Sequence, residues 1–138
     1  MTELAGYPKT ASCVCGALTV TVKAAPANVH ACCCLACHRR SGSVYTYTAF
    51  FAEADASVNG EYRSWRRSSD AGGYHETNFC PACGGAGFSR LEALPRVIGI
   101  PAGNFADLDF EMPRKLYWTV HRHRWLAHPD GPAIVERQ

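Results

Sequence analysis

Residues 13–23 read Cys13-Val14-Cys15-Gly16-Ala17-Leu18-Thr19-Val20-Thr21-Val22-Lys23, and their pattern sets the expectation for the whole chain. Leu18, Val20 and Val22 alternate with Thr19, Thr21 and Lys23, the period of two that marks a strand with one buried face. Outward from this stretch the same grammar repeats. Residues 29–31 form a short extended piece, and Val44–Phe51 (VYTYTAFF) is a β-branched and aromatic run suited to burial on both faces. Asn59-Gly60 signals a hairpin between Ala56–Val58 and Tyr62–Arg66. Further strands are expected at Tyr74–Phe79, Ala86–Ser89, Arg96–Ile100 and Lys115–Val120, separated by Gly72-Gly73, Gly84-Gly85, Pro101 and Pro113. After Cys37 the run His38–Gly42 offers at most a helical turn. With no long 3.6-residue period, the pattern predicts a mainly β fold.

At 138 residues the chain is sized for one domain, 1–138, with a core of about 12–125 and tails at Met1–Ser12 and His128–Gln138. Hydrophobic residues at 47% and charged residues at 19% suffice for a core and carry no disorder signature. A formal charge of +2 is too weak a field to select nucleic acid or an anionic membrane, so neither is expected as a partner. No apolar run approaches the roughly 18–20 residues that span a bilayer, and the opening MTELAGYPKTAS has no signal-peptide pattern. A cytoplasmic protein is expected; a homodimer is left open.

Eight cysteines are the feature an ordinary reducing-compartment domain lacks. There, clustered cysteines bind metal or do redox work more often than they form disulfides. Cys80-Pro81-Ala82-Cys83-Gly84 has the two-residue spacing of a zinc knuckle, with Pro81 setting φ and Gly84 free to take a positive φ after the second ligand. Cys13 and Cys15 supply a second pair, so one closed four-thiolate zinc site on Cys13, Cys15, Cys80 and Cys83 is expected. The run Cys32-Cys33-Cys34-Leu35-Ala36-Cys37 combines both spacings. Cys32, Cys34 and Cys37 can share a metal while Cys33 points away and packs. Three readings stay open: a three-Cys zinc with a vacant position, a closed site completed by His38 or another residue, or thiols without metal. The first is the arrangement of a catalytic zinc, and its soft donors favour an incoming thiol.

The three clusters together resemble the glutathione-dependent formaldehyde-activating enzyme family, which also includes centromere protein V. The shared pattern is Cys13-Val14-Cys15-Gly16, then Cys32, Cys34 and Cys37 followed by Ser41-Gly42, then Phe79-Cys80-Pro81-Ala82-Cys83-Gly84. A Gly99-x-x-x-Gly103-x-Phe105 stretch and the late strand with Trp118 extend it, from about residue 12 to Trp125. The chain departs from the family at His38, where Arg or Gln is usual, and at Cys33, often His. The resemblance implies a tent-like arrangement of small antiparallel sheets pinned by zinc. It also implies a structural zinc on the outer four cysteines, a second on Cys32, Cys34 and Cys37, and carbon-sulfur lyase chemistry that joins formaldehyde to glutathione as S-hydroxymethylglutathione.

Such an enzyme needs a proton carrier, and His38 is the nearest candidate in the chain. The carboxylates of glutathione call for cationic donors; Arg39, Arg40, Arg63, Arg66 and Arg67 are available, with Arg39 and Arg40 favoured by proximity to Cys37. The run His121–Arg124 reads as a solvated strand end, and Trp65, Trp118 and Trp125 read as core, one of them free to line a pocket. The alternative to an enzyme is a non-catalytic, zinc-stabilised binding module.

Overall fold

The structure, a computed structural model, describes residues 6–69 and 72–138; the first five residues of the expected N-terminal tail lie outside them. The fold is mainly β. Strands β1 (Lys9–Ser12), β2 (Thr19–Val22) and β5 (Ala56–Asn59) form a three-stranded antiparallel sheet in the order β1-β2-β5. The remaining strands are β3 (Asn28–Cys32), β4 (Thr46–Ala52), β6 (Arg63–Ser68), β7 (Tyr74–Phe79), β8 (Ala86–Leu91), β9 (Val97–Pro101), β10 (Lys115–Tyr117) and β11 (Ala133–Val135). They make an eight-stranded sheet in the order β11-β10-β3-β4-β9-β8-β7-β6. Among the described residues the one α-helix, α1 (Leu35–Ser41), follows β3 directly. No helix among them is long and apolar enough to cross a membrane.

Strand periodicity divides the large sheet into two unlike faces. Val29, Ala49, Phe51, Phe88, Ile98 and Ile100 lie on one face and join Ala11, Val20 and Val22 of the small sheet in the principal core. Phe51 is fully enclosed there, a burial that contributes about 2–3 kcal/mol. The alternate residues, His30, Thr46, Thr48, His75 and Ser89, turn to the opposite face, and it is this polar face that carries the site.

Several expectations are corrected. Asn59-Gly60 does not close a hairpin: β5 pairs with β2 in the small sheet and β6 with β7 in the large one. The pair marks a crossing between sheets, and Gly60 is required because a Cβ there would lie 2.0 Å from the Ala17 carbonyl oxygen, at a φ of +105°. Both expected tails carry strands, β1 at one end and β11 at the other. The sheets are not all antiparallel, since β10 runs parallel to both β3 and β11. The strand expected over Lys115–Val120 stops at Tyr117, where Trp118 takes a left-handed conformation and a 3₁₀ turn, Thr119–His121, follows. The His121–Arg124 run is therefore not a strand end. Trp65 and Trp125 are exposed at 60% and 75%, outside the core.

Candidate metal centres and the cavity above them

The Cys13–Gly16 segment lies in the turn of the β1–β2 hairpin, and Cys80–Gly84 in the turn of the β7–β8 hairpin. Both fold alike. The Cys13 carbonyl accepts from the Gly16 N–H at 3.1 Å and the Cys80 carbonyl from the Gly84 N–H at 2.8 Å, with Gly84 at the positive φ expected of it, +77°. The two hairpin tips meet. The sulfurs of Cys13, Cys15, Cys80 and Cys83 all lie within 4.8 Å of one another.

Cys13–Cys15 and Cys15–Cys80 sulfur separations are both 3.7 Å. That is close to the ~3.8 Å edge of a tetrahedron built on ~2.3 Å zinc–sulfur bonds, and far beyond a ~2.05 Å disulfide. Backbone N–H groups of Leu18 and Gly85 donate to the sulfurs of Cys13 and Cys83 at 3.3 and 3.4 Å. The bonds from the backbone lower the pKa of both thiols, while the neighbouring thiols help to raise that of Cys15. Four convergent sulfurs with donors already aimed at negative charge fit a soft divalent cation well.

The second cluster is built at the end of β3. Cys32 is the last residue of that strand and Cys34 caps α1, its sulfur accepting from the Cys37 N–H at 3.4 Å. Helix α1 is longer than the single turn expected, begins before Cys37 and ends at Gly42 in the left-handed region, donating to the His38 carbonyl at 2.8 Å. The cap and first turn bring the sulfurs of Cys32, Cys34 and Cys37 within 4.8 Å of one another. Among the described residues no fourth Cys, His, Asp or Glu joins this group. Cys33 turns away, fully buried with Ala31 and Leu116. The Cys37 thiol is held well below its ordinary range, first by the Cys32 thiol and then by Thr46, Cys34 and the Arg40 charge, against its burial. Cys32 is pushed up by the same contact. One thiol thus ionises first and its neighbours hydrogen-bond to it. These donors also suit a soft cation. All eight cysteines are free thiols.

A cavity of about 320 Å³ opens above this cluster, and Arg40 stands on its wall. His30 and His75 face it as well, although sequence alone did not single out either. His75 sits opposite Arg67 in the β6–β7 register and is only 8% exposed. Burial first, then the Arg40 and Arg67 charges, push its imidazole down to about 4, so it is neutral near pH 7. His30 is lowered chiefly by burial, its ring 4.6 Å from Phe50 and 5.1 Å from Tyr117. Trp118 reaches the same cavity. Neither histidine belongs to a recognisable motif; only strand register reveals them.

His38 stands elsewhere. It follows Cys37 on α1, but its ring stacks on His123 at 4.9 Å, its Nε2 is buried without a partner, and it is not among the residues around the cavity. Arg39 and Arg40 both border a neighbouring cavity of about 470 Å³, beside Trp65, Arg67 and Phe79. Arg66 is committed to Glu76 at 2.7 Å on the other side of β6, and Arg63 is exposed.

The glutathione-dependent formaldehyde-activating enzyme family matches residues 8–121 of the chain. The fold is similar to that in a crystal structure of a Rhodobacter sphaeroides protein, a structural-genomics target. The TM-score is 0.58 at 20% identity, covering 75% of this chain and 97% of that one. No curated protein matches the chain significantly.

Proposed function

We propose that this chain, which belongs to the glutathione-dependent formaldehyde-activating enzyme family, is a carbon-sulfur lyase-type enzyme that joins the thiol of glutathione to formaldehyde. The observation that supports this reading most is the cluster of Cys32, Cys34 and Cys37, three convergent sulfurs at a cavity with no fourth Cys, His, Asp or Glu in the group among the described residues. In this reading residues 1–138 act as one cytoplasmic zinc-binding domain, with Cys13, Cys15, Cys80 and Cys83 holding a structural zinc and the three cavity cysteines a second. A zinc on three thiolates supplies a position that binds a substrate thiol and lowers its pKa.

The chain's own residues do the rest. The Cys37 N–H fixes the Cys34 sulfur, and Ser41 Oγ donates to the Cys37 carbonyl at 2.8 Å, holding the helix that carries two of the donors. The reaction forms one carbon–sulfur bond and moves the thiol proton to the aldehyde oxygen, so atoms balance without an oxidant. His38 remains the proposed proton carrier from its place in the chain, while His75 is the neutral imidazole that faces the cavity. Arg39 and Arg40 are proposed to receive substrate carboxylates.

The test is nuclear magnetic resonance of glutathione and formaldehyde exchanging with S-hydroxymethylglutathione. The zinc-loaded protein should speed the exchange, and Cys34→Ser should return it to the uncatalysed rate. Exchange unaffected by the protein overturns the proposal.

A further inference from the structure

Two cavities share a wall. Arg40, from the last turn of α1, and Arg67, from β6, line both the thiol cavity and the outer cavity of about 470 Å³. Arg67 stands opposite His75, and Trp65, two residues earlier, stands opposite Thr77, so all four share one face of the large sheet. No Asp or Glu side chain among the described residues lines either cavity. Neither arginine makes an ion pair among those residues, and the Nε of each is buried without a partner. Among the described residues Arg67 Nη1 donates to the Ser68 carbonyl, at 3.3 Å.

The two cations differ in their surroundings. Arg40 lines the thiol cavity together with Cys32, Cys34 and Cys37. Among the described residues no carboxylate side chain pairs with Arg67, and its cross-strand neighbour His75 is held neutral. A partly buried guanidinium with an idle Nε, beside an exposed indole and at the junction of two cavities, is a site for a planar anion. Its fork matches a carboxylate.

We propose that Arg67 is a specificity residue that receives a carboxylate of the substrate, selecting thiols whose chain extends from the three cysteines past Arg40 and over Trp65 into the outer cavity. The inference rests on the thiol-binding reading of the cysteine cluster and assigns the part of the substrate remote from sulfur. It takes the anion site beyond the helix, to a strand thirty residues after the last cavity cysteine.

Isothermal titration with S-methylglutathione tests this apart from chemistry, because that ligand keeps both carboxylates and has no thiol to react. The zinc-loaded wild type should bind S-methylglutathione at least tenfold more tightly than its diethyl ester. Arg67→Gln, shown to be folded by its cooperative melting, should lose most of that preference and keep only the part that Arg39 and Arg40 supply. Equal binding of acid and ester to the wild type overturns the proposal, as does a preference that Arg67→Gln leaves unchanged. Turnover of glutathione without a carboxylate preference would sink the subsite alone; a carboxylate preference without turnover would sink the lyase reading alone.

Discussion

The two sulfur clusters use the same chemistry in opposite settings. Cys13, Cys15, Cys80 and Cys83 come from two hairpin turns in different sheets, more than sixty residues apart, and four sulfurs leave no room for another ligand. Cys32, Cys34 and Cys37 come from six consecutive positions, join nothing distant, and face a cavity. A cluster that spans the chain constrains the unfolded state and acts on stability; a local cluster does little for the fold and is free to act on a ligand.

The largest effect expected from this contrast is on folding. Cys80→Ser removes a fully buried donor that joins the sheets, and a loss on the order of 10 kcal/mol of metal-linked folding energy should leave no cooperative transition by circular dichroism. Cys34→Ser should melt cooperatively, hold one zinc fewer by elemental analysis, and lose roughly 1,000-fold in turnover, about 4 kcal/mol of transition-state stabilisation. A Cys34→Ser chain that fails to fold would erase the distinction between the clusters.

A smaller effect concerns pH. The His75 imidazole titrates at about 4 when folded and near 6.5 when unfolded. The unfolded chain therefore takes up the proton first, and the stability tied to a neutral His75 is complete above pH 6.5 and lost as pH falls toward 4. The loss amounts to about 3 kcal/mol. Urea unfolding of wild type and His75→Gln at both pH values isolates it, and the variant should be the less pH-sensitive protein. Smallest is the ion pair of Lys9 with Asp107, 2.6 Å long and partly exposed, which ties the edge of the small sheet to the loop after β9. Lys9→Met should cost under about 1 kcal/mol in the same assay, against the much larger cost of breaking the four-sulfur clip at the other end of β1.

Strand content and the grouping of the cysteines were legible because both are local: the alternation of Leu18, Val20 and Val22, and the spacing of Cys80 from Cys83, are set within a few residues. Strand partners were not. Asn59-Gly60 has the chemistry of a hairpin turn, but Val58 packs on the small-sheet core while Arg67 faces the cavity, and tertiary burial sends the flanking strands to different sheets. The same limit hid His75 and left Arg67 undistinguished among the available arginines; both become neighbours of the cysteine cavity through the β6–β7–β8 register. The tryptophans misled for a related reason: the two sheets fill their core with Val, Ile and Phe, leaving Trp65 and Trp125 outside it.

The most direct test of the contrast between the clusters is cadmium-113 resonance of the protein with cadmium in place of zinc, before and after glutathione is added. Thiolate-rich sites accept this soft ion. The account predicts two signals, of which one shifts as a further sulfur arrives, is absent in Cys34→Ser, and leaves the other unchanged. A single signal, or two signals that both ignore glutathione, would contradict it.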